Sequence, residues 1–278
     1  MTSDRTAETA RHEASAHLRG TNCFQAFAGK RAAISFTGGK DCHLALQRSI
    51  DAGLHIVCLA VFFAPPQPAF RAHRMKWQYT QAQAMGNIPV AECCLSELEA
   101  NGMDYKAAYA AAIRVLQTQH QIDVIVTGDI DFVGTSRSNF MQDVCHDYDC
   151  HGVQVLLPLW QQSRRALMEE MIATHQFDIR LVCVKSPHFN DSWIGMRLDN
   201  DTLARMESKT AHGLDLTGEN GEYHTMVVGG PMYKTRLKFQ NVNALELVNQ
   251  RGQKDGERWW VMQETTELVS IVDDTEKL

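Results

Sequence analysis

The feature that most limits the possible folds is a regular alternation of short apolar runs with longer amphipathic segments. The apolar runs are rich in β-branched residues and nearly continuous, which is typical of strands buried on both faces of a parallel sheet. The runs are RAAISF (31–36), HIVCLAVFF (55–63), VAECCLS (90–96), DVIVTG (123–128), VQVLLPL (153–159) and DIRLVCVK (178–185). The segments between them predict helices at about 40–52, 72–86, 103–120, 137–148 and 163–175. This alternation predicts an α/β fold with a Rossmann-like parallel sheet flanked by helices.

The pattern changes after about residue 186. Loop-like segments then alternate with one helical segment and with strand candidates that include ALELVN and RWWVMQ. We therefore predict three parts, which are a polar N-terminal arm (1–29), an α/β domain (30–186) and a smaller α+β subdomain (187–278).

Composition limits the classes of partner and the compartment. The net charge is -6 at pH 7, which argues against a nucleic-acid partner because such domains usually carry a basic excess. No apolar run approaches the roughly 20 residues of a membrane span, so we expect no membrane association. The first 20 residues contain no apolar core of a signal peptide, and the acidic residues Asp4, Glu8 and Glu13 argue against a transit peptide. The 8 cysteines form no CxxC pair, which predicts reduced thiols and a cytoplasmic location.

The junction between the first predicted strand and the first predicted helix reads SFTGGKDC, residues 35–42. Glycines in such a turn allow positive φ angles and let backbone amides converge on a ligand. The helix N-terminus and the lysine add positive charge, and open α/β sheets bind ligands at this end of their strands. We interpret the stretch as a phosphate-binding loop, with a plain Gly–Gly turn as the alternative. Its spacing matches neither GxxxxGK[ST] nor GxGxxG.

TGGKDC resembles the SGGKDS pyrophosphate loop, or PP-loop, of the adenylating ATP pyrophosphatases in the adenine nucleotide alpha hydrolase superfamily. In that superfamily the loop holds the pyrophosphate that leaves when the α-phosphate of ATP is attacked. Thr37 and Cys42 stand where the superfamily motif has serines. Thr37 keeps a hydroxyl, whereas a thiol is only a weak donor. We expect Cys42 to be a small residue that fits the turn, with a thiol activated by the helix N-terminus as the alternative.

A second segment, GENGEYHT at 218–225, places glycines, carboxylates and a histidine on the way into a strand. Alone it would fit a tight turn with solvated acids. Together with TGDI (127–130), VLLPLW, VKSPHF and WIG, which occur in the right order, it resembles the diphthine–ammonia ligase family over roughly residues 30–235. The segment DFVGTSRSNFMQDVC follows TGDI, where the better-known ligases tend to carry a charged, arginine-containing helix. This departure indicates a divergent branch.

The resemblance implies a PP-loop domain of the HUP type and a C-terminal subdomain that closes over its site. It implies an ATP-dependent amide ligase, in which diphthine on translation elongation factor 2 is adenylated and ammonia displaces AMP. The expected cofactors are ATP and Mg²⁺, and the expected partners are ammonium and elongation factor 2. Two alternatives stay open. One is a PP-loop enzyme that adenylates another substrate, as in RNA modification or thiolation, and the other is a non-catalytic nucleotide-binding protein.

The predicted site residues have three roles. Nucleotide binding is assigned to Ser35, Phe36, Thr37, Gly38, Gly39, Lys40, Asp41, Cys42, Gly128 and Asp129. Catalysis is assigned to Lys40, Asp41, Glu219, Glu222 and His224, and substrate contact to Asn139, Tyr223 and Thr225. Asp41 is also a candidate for Mg²⁺, with a helix cap as the alternative. The two glutamates and the histidine are expected to bind ammonium or to take its proton.

Two further clusters have plainer interpretations. CHDYDCH (145–151) has a Cys-x₄-Cys spacing that is not a common zinc pattern, so we expect no metal there. RAHRMKWQ (71–78) places three cations at a predicted helix start, which predicts a solvated face. Contact with phosphate or with an acidic substrate surface is the alternative.

Overall fold

A computed structural model describes residues 24–64, 72–96, 102–132, 136–248, 253–263 and 265–271, so most of the predicted N-terminal arm lies outside the described residues. Five parallel strands form the first sheet in the order β3-β2-β1-β4-β5. They are β1 (Arg31–Ser35), β2 (His55–Phe63), β3 (Val90–Cys94), β4 (Val124–Val126) and β5 (Gln154–Leu156). The predicted α/β fold with a Rossmann-like sheet is confirmed.

Helices cover both faces of this sheet. Successive residues of β1 point to opposite sides, with Ala32 and Ile34 in one core and Ala33 in the other. Four of the helices begin after a residue whose side chain accepts a first-turn N–H, at Asp104, Asn139, Ser163 and Asp199. The described helices are α1 (Lys40–Asp51), α2 (Met75–Ala84), α3 (Tyr105–His120), α4 (Phe140–Asp147), α5 (Arg164–Glu169, continued by a π-helical turn at Glu170–Thr174) and α6 (Asn200–Thr210), with 3₁₀ turns at Gln25–Phe27 and Asp191–Trp193.

The C-terminal part is built on antiparallel sheets, as the predicted α+β subdomain requires. A four-stranded sheet has the order β7-β6-β10-β9, and β11 pairs with β8. These strands are β6 (Asp178–Lys185), β7 (Tyr223–Gly229), β8 (Arg236–Gln240), β9 (Ala244–Leu247), β10 (Trp259–Met262) and β11 (Glu267–Ile271). No helix among the described residues is long and apolar enough to cross a bilayer.

Our expectation that the run at 178–185 belongs to the parallel sheet is wrong. This run is β6, and it pairs antiparallel with β7 and with β10. Its side chains are buried on both faces, with Ile179 and Leu181 in one core cluster and Val182 in another. A continuous apolar run reports two buried faces, and an antiparallel sheet covered on both sides produces the same pattern. The predicted boundary after residue 186 falls at the end of this strand.

Candidate functional site

The glycine loop lies where the strand order of the parallel sheet reverses. Strands β2 and β4 flank β1, and the chain leaves β1 through the loop into α1. Such a switch point is where open α/β sheets bind ligands. Ser35, at the end of β1, lines a cleft of about 520 Å³ together with Thr127 and Asp129 from the end of β4. The outer wall of the cleft comes from α3 and α4, through residues that include Tyr105 and Phe140.

Gly38 is a position where only glycine fits. Its φ angle is +84°, and a Cβ there would lie 2.4 Å from Gln81 Oε1 and 2.6 Å from Met226 Cε. The left-handed backbone and the lack of space both exclude a side chain. Gly39 directly precedes α1 as its N-cap. Among their neighbours, Thr37 is exposed, whereas Phe36 is buried and packs on the ring of His43 at 5.1 Å between centroids.

Lys40 joins the loop to the segment around GENGEYHT. Its ammonium is buried and donates to the Asp41 carboxylate at 2.7 Å and to the backbone oxygen of Thr217 at 2.6 Å. It also lies 5.4 Å from the centroid of the Tyr223 ring. The backbone N–H of Lys40 donates to Thr225 Oγ1 at 3.1 Å. The structure therefore brings together the two segments that the sequence singled out.

The Cys42 thiol is an unsuitable nucleophile in this environment. It is buried and donates to the Gly39 carbonyl at 3.1 Å. Burial raises the pKa of Cys42 to about 11, so the thiol stays protonated near pH 7. A nucleophilic role would require the thiolate, which this environment disfavours.

Asp41 and Glu219 are two carboxylates near the loop, and the charge of Asp41 acts on Glu219. Burial raises the pKa of Asp41, against the opposing effect of the Lys40 ammonium, and the Asp129 carboxylate raises it further. The Glu219 side chain is exposed to solvent. The surrounding protein nevertheless removes part of the water around its carboxylate, and this desolvation, with the Asp41 charge, raises the pKa of Glu219 to about 7. A carboxylate with a pKa near neutrality can attract a cation and also accept its proton.

Glu222 and Tyr223 hold the turn that carries Glu219. One oxygen of the buried Glu222 carboxylate accepts the backbone N–H of Asp215 at 2.8 Å. The buried Tyr223 hydroxyl donates to the backbone oxygen of Leu216 at 2.7 Å. Both side chains therefore stabilise the turn at residues 215–223, in addition to the catalytic role predicted for Glu222 and the substrate role predicted for Tyr223.

His224 packs against a histidine that the sequence analysis did not select. The His73 and His224 rings meet edge to face with their centroids 5.3 Å apart. Burial, with the nearby charges of His73, Lys185 and Lys40, lowers the pKa of His224 well below its usual range. The His224 imidazole is therefore neutral near pH 7 and is a weak base.

The cationic segment at 71–78 does not behave as a uniform solvated face. Arg74 stacks its guanidinium on the Trp77 ring at 4.5 Å and donates to the backbone oxygen of Met262 at 2.6 Å. It therefore ties the start of α2 to the C-terminal sheet, whereas Lys76 is exposed. Arg71 lies outside the described residues.

The segment that follows β4 contacts the first turn of α1, next to the glycine loop. A Cβ on Gly128 would lie 2.7 Å from the carbonyl carbon of Asp41, so the segment that follows β4 touches the first turn of α1. Asn139 donates to the Asp129 carboxylate at 2.6 Å, and its own oxygen caps α4. Asn139 is 3% exposed and is placed to orient Asp129 at the cleft.

Several residues that shape the site were missed. Arg164 donates to Asp131 at 2.9 Å and to Asp215 at 3.3 Å, and so links the cleft edge to the turn before GENGEYHT. Gln78 and Gln81 of α2 donate to carbonyls of the glycine loop. Nothing in the local sequence marks Arg164. The available signal for α2 was Gln78 and Gln81, two of the three glutamines in the helical segment WQYTQAQA, although glutamine usually faces solvent.

CHDYDCH (145–151) does not supply a group of three metal-ligating side chains in the described structure. Over the ranges that the structure describes, no set of three or more His, Cys, Asp or Glu side chains is placed to hold a metal ion. Mg²⁺ bound with nucleotide needs fewer protein ligands, because phosphates supply the others. Asp41 fits that use, since its carboxylate lies beside the loop and near the negative charges of Asp129 and Glu219.

Comparisons with known proteins find relatives that are named for diphthamide synthesis. Residues 163–266 match the family model described as Diphthamide synthase C-terminal domain. The diphthine–ammonia ligase of Homo sapiens is 22% identical over 74% of this chain and 82% of its own length. That of Bos taurus is 28% identical over 45% of each chain, and that of Mus musculus is 23% identical over 48% of each. The matched region thus spans about half the length of the bovine and mouse relatives.

One solved structure, titled as a predicted subunit of tRNA methyltransferase from Methanocaldococcus jannaschii, aligns with a TM-score of 0.37 and 13% identity. The alignment covers 72% of this chain and 97% of that one.

The matched C-terminal domain and the curated relatives bear out the resemblance seen in TGGKDC and GENGEYHT, at low identity throughout. Residues 163–266 therefore match the diphthamide synthase C-terminal domain, and the chain is similar at low identity to diphthine–ammonia ligases.

Proposed function

We propose that this protein is an ATP-dependent ligase that joins ammonia to a carboxylate and releases AMP and pyrophosphate. The proposed carboxylate is that of diphthine on translation elongation factor 2, and the names of the curated relatives support this choice. The observation that carries the proposal is the double contact of Lys40 with the second motif segment, through Thr225 and Thr217. A protein that only held a nucleotide would not need an acidic segment fastened to its phosphate loop.

The loop would hold the phosphates of ATP. The backbone amides of Gly38 and Gly39 and the N-terminus of α1 offer donors and partial positive charge to an anion. The Lys40 ammonium would balance the charge that develops on the departing pyrophosphate. Asp41 would hold Mg²⁺ together with the phosphates, and the ion would shield their negative charge from the attacking carboxylate.

The proposed reaction has two displacements. A carboxylate oxygen of the acceptor attacks the α-phosphorus while the bond from that phosphorus to pyrophosphate breaks, which gives an acyl adenylate. The nitrogen of ammonia then attacks the acyl carbon, and the carbon–oxygen bond to AMP breaks. Preorganised charge and fixed geometry would lower both barriers. The cleft beside Ser35 and Asp129 is the space available for the nucleotide or the acyl group.

Ammonium must lose a proton before it can attack. Glu219 lies within electrostatic reach of Asp41, and its pKa of about 7 suits a group that first attracts the cation and then accepts its proton. A neutral His224 imidazole adds no positive charge that would repel ammonium. Glu219 is therefore the proton acceptor in our proposal.

The test is a measurement of nucleotide products by chromatography. The purified protein would be incubated with Mg-ATP and ammonium, with and without elongation factor 2 that carries diphthine. We expect AMP only with the diphthine protein, and we expect Lys40→Ala to abolish it. Lys30→Ala is a matched control, because Lys30 precedes the opposite end of β1 and its side chain reaches Gln154.

Other outcomes would contradict the proposal in distinct ways. AMP formed with RNA in place of the diphthine protein would favour an RNA-modifying enzyme. Bound but unconverted ATP under every condition would favour a nucleotide-binding protein without ligase activity.

A further inference from the structure

Two buried glutamines of α2 donate to the backbone of the glycine loop. Gln78 and Gln81 are 3% and 0% exposed, and their spacing of three residues places them on one helix face. Gln78 Nε2 donates to the Thr37 carbonyl at 3.1 Å. Gln81 Nε2 donates to the Gly38 carbonyl at 2.9 Å and to the Val227 carbonyl at 2.7 Å. Gln81 therefore fastens the loop to α2 and to β7 at once.

The next carbonyl of the loop is also occupied. The Gly39 oxygen lies 2.8 Å from His43 Nδ1 and accepts from the Cys42 thiol at 3.1 Å. The Gly38 oxygen accepts a second bond from the Val227 N–H at 3.0 Å. Three successive carbonyls, at residues 37 to 39, are thus held by other parts of the protein.

Holding these carbonyls determines where the amides point. In a trans peptide unit the N–H and the C=O point in opposite directions. The N–H groups of Gly38 and Gly39 therefore lie on the side away from Gln78 and Gln81. Glycine places little restriction on rotation of its flanking peptide planes. A rotated plane would present a carbonyl oxygen, instead of an N–H, to a bound anion.

We infer that Gln81, assisted by Gln78, is a positioning residue for pyrophosphate binding. The two side chains fix the peptide planes of the loop before the anion arrives, so binding does not require the loop to reorganise. Neither glutamine is required to touch the ligand. The inference rests on the part of the proposed function in which the glycine loop binds pyrophosphate.

A purely structural role for these side chains makes a different prediction. Buried amides could simply satisfy carbonyls, and their loss would then lower stability without changing the affinity for an anion. Gln47 supplies the matched control. It is a buried glutamine of α1 whose Nε2 donates to Asp51 at 2.8 Å, away from the loop carbonyls. Gln47→Met should therefore affect stability alone.

The experiment measures the dissociation constant of inorganic pyrophosphate by calorimetry, with the melting temperature recorded in parallel. The full chain would be compared with Gln81→Met, Gln78→Met and Gln47→Met. We expect about tenfold weaker binding for Gln81→Met and about threefold for Gln78→Met, since each lost hydrogen bond is a modest net contribution. Gln47→Met should bind within about twofold of the unaltered protein.

The outcomes separate the inference from the proposed function. Folded Gln81→Met and Gln78→Met proteins with unchanged pyrophosphate affinity would overturn the inference. If Gln81→Met does not fold, the affinity of Gln78→Met alone decides between the two roles. An unaltered protein that fails to bind pyrophosphate would overturn both. An unaltered protein that binds pyrophosphate but forms no AMP would remove the ligase proposal and leave the positioning role in place.

Discussion

Gly128 is the point where the parallel sheet supports the first turn of α1, and its replacement by alanine should disturb the phosphate site. An added Cβ would lie 2.7 Å from the carbonyl carbon of Asp41 and 2.7 Å from the backbone nitrogen of Cys42. Ordinary contact begins at 3.4 Å, so the helix turn or the strand must retreat by about 0.7 Å. The obstructing atoms belong to the backbone and cannot rotate aside as a side chain would.

The magnitude follows from this lack of space. Forcing extra atoms into a packed contact costs about 1–3 kcal/mol, and we expect the unfolding free energy of Gly128→Ala to fall by that amount. Misplacing catalytic groups by about 1 Å can cost on the order of 100-fold in rate, so AMP formation should fall by roughly 10-fold or more. Urea unfolding and initial rates of AMP release measure the two effects.

Gly229→Ala is the control for this substitution. Its added Cβ would meet only the Cβ of Asp178, at the ordinary distance of 3.6 Å. We expect its unfolding free energy to stay within about 0.5 kcal/mol of the unaltered protein. A Gly128→Ala protein as stable and as active as the Gly229→Ala control would refute the argument that β4 positions the loop.

Three further changes test other parts of the site. Arg164→Gln removes both ion pairs of a guanidinium whose side chain is 26% exposed. It should lower the unfolding free energy by about 1–2 kcal/mol. The control is Arg165→Gln, which changes an exposed neighbour and should have no measurable effect on that free energy. Because the folded protein raises the pKa of Glu219 from 4.5 to about 7, the unfolding free energy should fall as pH rises across that interval, and Glu219→Gln should reduce this slope. Thr225→Val leaves the buried Lys40 N–H without its acceptor and should cost about 1–3 kcal/mol in urea unfolding, and Thr225→Ser should restore most of it.

The local features of the site were predictable because they depend on neighbouring residues. The start of α1 at Lys40 and the positive φ of Gly38 both follow from a glycine turn between an apolar strand and an amphipathic helix. The direction of β6 was not predictable in the same way. Its apolar run shows that both faces are buried, and the partners that bury them are distant in the chain.

The tertiary hydrogen bonds of the site could not be read from the sequence. Gln81 reaches the loop only because α2 packs beside β7, and a glutamine in a helix carries no mark of such a contact. Glu222 and Tyr223 are residues that the sequence did single out, but their contacts could not be predicted from it. Their carboxylate and hydroxyl suit catalysis as well as turn closure, and the structure finds them bonded to backbone groups of their own segment. We selected these residues by their chemical type, but the packing of the chain determines which groups they contact.

The central claim of this account is that a carboxylate is adenylated at the Gly38–Lys40 loop, and the fate of the carboxylate oxygen tests it most directly. Diphthine on elongation factor 2 would be labelled with ¹⁸O at both carboxylate oxygens and incubated with the protein, Mg-ATP and ammonium. Mass spectrometry of the products should find one ¹⁸O atom in each AMP, because ammonia breaks the bond between the acyl carbon and the oxygen that AMP retains. ADP accompanied by ¹⁸O in inorganic phosphate would contradict the account, because it would show attack at the γ-phosphate.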